Sequence, residues 1–356
     1  MRALVLSGGE GSRLRPITYT SAKQLLPIAG EPILFRAIEA ISDAGIVEVG
    51  LVVGATADEV RAAVGDGSRW VVRITYIRQD APLGLAHAVL TAREFVAGQP
   101  FLMYLGDNVL LEGLSRFVEE FERTRPDAQI FLAHVPEPER FGVAVLDGER
   151  VVRLVEKPKE HISDLALVGV YLFDDSIVEA AETLEPSWRG EYEITEAIQW
   201  LIDHGRTVRA EMVSGWWKDT GKPEDLLEAN RIMLGVQRSR TDGEVDDASS
   251  LEGNVVVAAG AKVVRSRIHG PSVVGEGSLV EDSEIGPYTS IGEGCTVVAS
   301  VVEDSIVLQG CTIRDVRGLA TSILGKHVEV RHSGRRDGKH RLIVGIVSDQ
   351  SRVEVD

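Results

Sequence analysis

The sequence predicts two domains of different class: an α/β domain with a Rossmann-like mixed, mainly parallel sheet over residues 1–240, and a parallel β-helix over residues 241–356. Three observations carry this. Apolar strand-like runs alternate with amphipathic helical ones through the first part. An aliphatic residue recurs every 17 positions in the second. All 19 aromatic residues except Tyr288 lie before residue 251, so composition changes where the periodicity does.

In the first part the pairs are Ala3–Leu6 with Ile33–Ala44, Val47–Val53 with Asp58–Val64, Ile74–Ile77 with Leu85–Phe95, and Phe101–Leu105 with Leu114–Glu122. Strands alternating with helices imply a sheet covered on both faces, and ligands of such sheets bind beyond the carboxyl ends of the strands. Two polar, glycine-bearing segments fall there, Ser7–Arg15 and Gly106–Asn108.

Residues 236–250 are polar and aperiodic and read as a linker. Beyond them Leu251, Ile268, Ile285, Val302 and Leu319 form one frame of 17, Val257, Val274, Ile291 and Leu308 a second, and Val263, Val280 and Val297 a third. Three apolar positions per unit describe a coil with three flat sides, each burying its face only against its neighbours. Stacked coils expose flat faces and an end, from which an assembly or regulatory role and a homo-oligomer are expected. Cys295 and Cys311 differ by 16, one short of a coil, which predicts adjacent coils, opposite side-chain directions and separate reduced thiols. The basic stretch Arg331–Lys339 reads as a surface loop before a last apolar run, Leu342–Val347.

A formal charge of −17 argues against a nucleic-acid surface. No run approaches the ~20 apolar residues of a bilayer span, and two cysteines supply neither a disulfide framework nor a four-cysteine zinc site. A cytoplasmic protein with no membrane partner is expected.

Within this acidic chain Gly8–Pro32 stands out. Between Gly11 and Gly30 it carries Arg13, Arg15 and Lys23 and no acid. Gly8, Gly9 and Gly11 permit a turn whose N–H groups face an anion, and the cations add charge-assisted donors suited to phosphate. Leu14 stands where a dinucleotide fingerprint needs its third glycine, and no GK[ST] closes a Walker loop.

GGEGSRLRPIT followed by KQLLP resembles the signature of sugar-1-phosphate nucleotidylyltransferases, most closely the glucose-1-phosphate thymidylyltransferases. Seven further segments match in order: RQDAPLGLAHA (Arg78–Ala88), LGDN (Leu105–Asn108), RFGV (Arg140–Val143), EKP (Glu156–Pro158), VGVY (Val168–Tyr171), RGEYEIT (Arg189–Thr195) and WKDTG (Trp217–Gly221). The resemblance covers about residues 1–235, and the repeats resemble the left-handed β-helix of the family's long form. Ser12 stands where the family often has threonine, and Leu167 where valine is frequent.

The resemblance implies attack by glucose 1-phosphate on the α-phosphorus of dTTP, giving dTDP-glucose and pyrophosphate with Mg²⁺ as cofactor. A phosphate with a second pKa of ~6 is already ionised at neutral pH and needs no general base. Arg13 would steady the pyrophosphate and Lys23 the α-phosphate region. Asp107 and Asp219 would hold the metal. Leu6, Gly8, Gly9, Gly11, Ser12, Gln79 and Gly84 would bind the nucleotide, Gln79 reading the base. Asn108, Gly142, Glu156 and Leu167 would line the hexose, with Lys157 and Arg189 on its phosphate. His87 reads as a packing or surface residue. Two other enzyme readings stand beside this one: a UTP-dependent uridylyltransferase, and a bifunctional enzyme with acyl transfer in the β-helix, whose histidines are His269, His327, His332 and His340. A regulatory subunit that has lost the chemistry is disfavoured, because Arg13, Lys23, Asp107 and Asp219 are all present.

Overall fold

The computed structural model describes residues 1–332, 342, 343 and 345–355. By their internal contacts these form two units, residues 1–10 with 33–219, and residues 11–32 with 220–356. The predicted loop Arg331–Lys339 lies outside the described residues from 333 onward.

The first unit is built on one nine-stranded sheet. In chain order its elements are β1 (Arg2–Ser7), α1 (Ile33–Asp43), β2 (Glu48–Val53), α2 (Ala57–Val64), β3 (Arg73–Arg78), α3 (Leu85–Thr91), β4 (Phe101–Leu105), β5 (Asn108–Leu110), α4 (Ser115–Thr124), β6 (Ala128–His134), β7 (Gly142–Asp147), β8 (Arg150–Glu156), β9 (Leu165–Phe173), α5 (Ser176–Glu182), α6 (Ile194–Asp203), β10 (Val208–Met212) and β11 (Trp217–Asp219). The sheet order is β3-β2-β1-β4-β9-β6-β10-β8-β7, with β5 and β11 as a separate two-stranded ribbon.

The strands β3, β2, β1 and β4 run parallel, and their continuous runs such as Ala3-Leu4-Val5-Leu6 are buried because both faces are covered. Beyond β4 the sheet turns mixed: β9 is antiparallel to both β4 and β6, while β10 is parallel to β6. In α1, Ile33, Leu34, Ala37, Ile38 and Ile41 repeat at helical spacing and are buried. The helix read over Leu85–Phe95 is two pieces, α3 and a single turn Arg93–Val96.

In the second unit α7 (Pro223–Val236) precedes three stacks of short parallel strands, of seven, seven and six members, which form a three-sided parallel β-helix. Leu251, Ile268, Ile285, Val302 and Leu319 stack on one another in register. Three details depart from the sequence reading. The linker is already coil, since Arg240–Thr241 pairs with Val256–Val257 and Glu244–Val245 with Lys262–Val263. The second frame continues from Ile291 to Val307, not Leu308, because the coil after Tyr288 is one residue short; a bulge at Gly318 restores the step. The same shortening pairs Thr296 with Thr312, which stacks Cys295 over Cys311 with both side chains inward. Both are buried free thiols, Cys295 donating to Leu308 O at 3.1 Å and Cys311 to Gly325 O at 2.9 Å.

Serine ladders close the corners. The backbone N–H of Ser266 donates to Ser249 Oγ, that of Ser283 to Ser266 Oγ, and that of Ser300 to Ser283 Oγ, each near 3.0 Å. No helix among the described residues is long and apolar enough to cross a membrane.

Candidate functional site

In the first unit the parallel strands deliver their carboxyl ends side by side. Leu6 pairs with both Val52 and Leu105, and Gly106 N donates to Leu6 O at 2.9 Å, so the turns after β1 and β4 adjoin. Gly8 and Gly9 follow β1 directly. A Cβ on Gly8 would lie 3.2 Å from Gln79 Oε1, so glycine leaves this amide its place.

Gln79 is held at the end of β3 by its N–H donating to Val53 O at 2.9 Å, and its side chain is buried. Its Nε2 lies 2.9 Å from His87 Nδ1 and 3.4 Å from Gly84 O. His87, which the sequence leaves as a packing or surface residue, therefore orients the base-reading candidate, and its ring lies over Tyr192 at 6.1 Å. Gly84 sits at φ 104°, and a Cβ there would meet Tyr192 O at 2.5 Å. Tyr192 N donates to Leu83 O and Ala86 N to Tyr192 O, which binds the segment proposed for the nucleotide to the RGEYEIT segment.

The two acidic motifs meet on the small ribbon. Asp219 on β11 stands opposite Asn108 on β5, one residue from Asp107. Asn108 Nδ2 donates to Asp107 Oδ1 at 3.0 Å, and Trp217 Nε1 donates to Asn108 Oδ1 at 2.7 Å. The amide placed by sequence against the hexose thus also fixes an acidic side chain. Gly169, in VGVY, makes room for it, since a Cβ would come within 2.7 Å of Asn108. Trp217 packs edge-on against Phe141 of RFGV at 5.5 Å.

Gly142, Glu156, Leu167, Lys157 and Arg189 gather on the other side of the sheet order, around β7, β8 and β9. Gly142 pairs with Glu156, and a Cβ on it would lie 3.0 Å from Glu156 Oε2 and 3.7 Å from Leu167 Cδ1. Thr195 Oγ1 donates to Glu156 Oε2 at 3.2 Å. Lys157 takes φ 41°, uncommon for a side-chain-bearing residue, with its N–H on Phe141 O and its Nζ 3.7 Å from Glu156. Arg189 lies among three carboxylates, at 2.8 Å from Glu191, 3.1 Å from Glu193 and 3.5 Å from Glu156. Burial, with Glu156 adding to it, pushes the Glu193 carboxyl above the usual range. Glu193, Thr195, Trp217 and His87 are the supporting residues that sequence reasoning left without a role, although each lies inside a quoted motif.

The second unit carries Gly11, Ser12, Arg13 and Lys23. Gly11 is left-handed at φ 62°, with Thr18 Oγ1 donating to its carbonyl at 2.8 Å. A Cβ on Gly11 would lie 2.9 Å from Lys23 Cβ, so the turn folds back onto this lysine. Lys23 is buried while Ser12 and Arg13 are exposed. Ser21 Oγ and Gln24 Oε1, flanking Lys23, are buried polar atoms without a hydrogen-bond partner among the described residues, so its surroundings are polar.

Two carboxylates at the end of one ribbon suit a magnesium ion, a hard cation that commonly takes one or two protein carboxylates and completes its six oxygens with phosphate and water. No group of three or more His, Cys, Asp or Glu capable of holding a metal occurs among the described residues.

An α/β sheet with a glycine turn, a buried amide and neighbouring acids at its strand ends has the arrangement of a nucleotide-transferring enzyme. Comparison agrees: the chain matches the model of the nucleotidyl transferase family over residues 2–235 and belongs to that family. Among relatives, it is 53% identical over 356 residues to a glucose-1-phosphate thymidylyltransferase of Streptomyces griseus, covering 100% of this chain and 99% of that one. A second, from Streptomyces antibioticus, is 50% identical over 357 residues with the same coverage. A solved Bacillus anthracis chain described as a glucose-1-phosphate thymidylyltransferase superposes with TM-score 0.64 at 34% identity, over 67% of this chain and 98% of its own.

Proposed function

We propose that this nucleotidyltransferase transfers a thymidylyl group from dTTP to glucose 1-phosphate, releasing pyrophosphate and dTDP-glucose. The observation that carries the reading is the β5–β11 pairing, which sets Asp219 opposite Asn108 and so brings it to within one residue of Asp107, although the two acids are distant in sequence. Thymidylyl rather than uridylyl transfer is supported by the two full-length Streptomyces relatives.

The reaction is an in-line displacement: an oxygen of the sugar phosphate forms a bond to the α-phosphorus and the bond to pyrophosphate breaks. Positioning and charge stabilisation supply most of the catalysis, because the nucleophile is already ionised. Lys157 and Arg189 bind that phosphate, and Arg189, held by three carboxylates, is pre-aimed rather than free to sweep. Glu156, itself fixed by Thr195, accepts from sugar hydroxyls beside Gly142 and Leu167. Gln79 reads the base edge with its orientation set by His87, while Leu6, Gly8, Gly9 and Gly84 let the backbone approach the nucleotide. Gly11, Ser12, Arg13 and Lys23 donate to its phosphates. Magnesium, held by Asp107 and Asp219, supplies charge neutralisation on the triphosphate. We place the reaction in the cytoplasm and the protein in a homo-oligomer.

The test is pyrophosphate release by the purified chain with Mg²⁺ and glucose 1-phosphate, offered dTTP, UTP, GTP, CTP or ATP, with a chelator control. Release favouring dTTP and abolished by chelation is expected. Preference for UTP would make it a uridylyltransferase, and release surviving full chelation would remove the metal.

A further inference from the structure

The segment Gly11–Pro32 has little to hold its own shape. Its regular structure is three single 3-10 turns, Ser12–Leu14, Ile17–Tyr19 and Lys23–Leu25, and a two-residue pairing of Pro27–Ile28 with Glu31–Pro32. Short 3-10 turns carry no cooperative ladder, so the path between them is set by attachments from outside. Several of those attachments come from α7 and the β-helix.

Asn230 on α7 is completely buried. Its Oδ1 accepts from Ala29 N at 2.8 Å and from Ser290 Oγ at 2.6 Å, and its Nδ2 donates to Tyr288 O at 3.0 Å. One side chain thus ties the loop, the helix and a coil together, and rotating it would orphan buried groups on all three. Around it Ala29, Met233, Leu234, Val256 and Val273 form a small apolar cluster, so outward-facing valines of two coils are covered by the loop and α7. Arg231, the next residue, grips Asp304 with two bonds of 2.6 and 2.7 Å, fixing α7 to the following coil.

The middle of the segment is attached too. Thr20 Oγ1 donates to Asp349 Oδ2 at 2.7 Å, while Asp349 Oδ1 accepts from Lys326 N at 2.7 Å. Lys23 lies in sequence between these two fixed points, and the Gly11 turn that leads to Arg13 is folded onto Lys23.

Resting on the phosphate role given above to Arg13 and Lys23, we propose that the β-helix is a working part of the phosphate loop: through Asn230 and Asp349 its coils hold residues 11–32 in shape, and Asn230 is a positioning residue for the two cations. This gives the repeats a part in turnover separate from assembly.

The test compares wild type with Asn230→Ala and with Thr20→Val, which removes the hydroxyl that contacts Asp349 and Ile17 O, by amide hydrogen exchange and by pyrophosphate-release kinetics on the full chain. In Asn230→Ala, exchange across residues 12–28 should rise by at least about tenfold while coils 255–307 keep their protection. In the same variant kcat should fall by about tenfold or more and KM for dTTP should rise by about threefold, with KM for glucose 1-phosphate within about twofold of wild type; general loss of folded protein would lower apparent kcat alone and move neither KM. Thr20→Val should shift both readings the same way and less, and it decides the matter if Asn230→Ala deprotects the coils as well. Unchanged exchange in the loop, or a loosened loop with unaltered kcat, overturns the proposal. A wild type that releases no pyrophosphate from any nucleotide would instead remove the reaction assigned above, and the exchange arm would still decide whether the latch exists.

Discussion

The α/β unit and the β-helix are organised on opposite principles. In the first, each site position is occupied once: Asp107, Gln79 and Glu156 come from different strand ends and none has a stand-in. In the second, the same contact is made again on every coil, as in the stack Ile268, Ile285, Val302 and in the Ser249, Ser266, Ser283 ladder. Unrepeated residues concentrate chemistry while contributing little to stability, and repeated ones do the reverse. Arg13, Lys23 and Asn230 are the exceptions, unrepeated residues of the repeat-bearing unit to which a part in turnover is proposed.

The sharpest way to break this contrast is Asp107→Asn. It keeps the shape and the hydrogen bond to Asn108 but removes the charge, so turnover should fall by about 10³-fold with Tm nearly unchanged. Wild-type turnover would take Asp107 out of the site, and a large fall in Tm would show that the α/β unit does spend its site residues on stability. In the β-helix the expectation is inverted. Ile285→Ala empties a fully buried position between two stacked aliphatics and should cost about 2–5 kcal/mol by chemical denaturation, with kcat retained in the protein that remains folded. A comparable loss of kcat would spread the coupling argued for Asn230 over the whole helix.

How much of this was legible in sequence follows the same division. The period of 17 could be read because every coil repeats it, yet the one-residue shortening after Tyr288 could not: Leu308 satisfies an apolar pattern as well as Val307, and only backbone pairing tells them apart. The polar first coil, Arg240–Glu252, resembled a linker because Thr241 stands at the inward position that Val257 and Val274 fill in the next coils. The serine ladders carried a signal at the same step of 17 that an apolar count passes over. In the α/β unit the motifs identified the chemistry, whereas the supports escaped. That Trp217 holds Asn108 and Thr195 holds Glu156 depends on which elements lie side by side, and that His87 faces Gln79 depends on the turn between them; residue spacing contains neither.

Two smaller effects sharpen the contrast. Gln79→Ala removes the proposed base contact and frees His87, so KM for dTTP should rise by about tenfold with little change in KM for glucose 1-phosphate. An unchanged KM for the nucleotide would end the base-reading role. Ser283→Ala breaks one rung of a ladder, leaving the Ser300 N–H without its partner, and should cost about 1 kcal/mol. A cost near that of Ile285→Ala would mean that the ladders, not the aliphatic stacks, dominate the coil.

The smallest effect tests whether the unrepeated residues do tax the fold. Glu193 supports Arg189, and burial holds its carboxyl above the range it has in an unfolded chain. The folded protein therefore keeps this proton at a pH where the unfolded chain has released it, and stability falls as pH rises from the ordinary glutamate value of about 4.3 through the raised folded value, then levels off. Glutamine carries no such proton but still accepts from Ser187 and Arg189, which the carboxylate does now. The Tm of Glu193→Gln relative to wild type should therefore be lowest near about pH 4 and climb toward about pH 7, a gain bounded by the loss of the Arg189 ion pair. A difference that stays flat over that interval would mean that Glu193 titrates alike in both states, and that this pre-aimed arginine costs the α/β unit nothing.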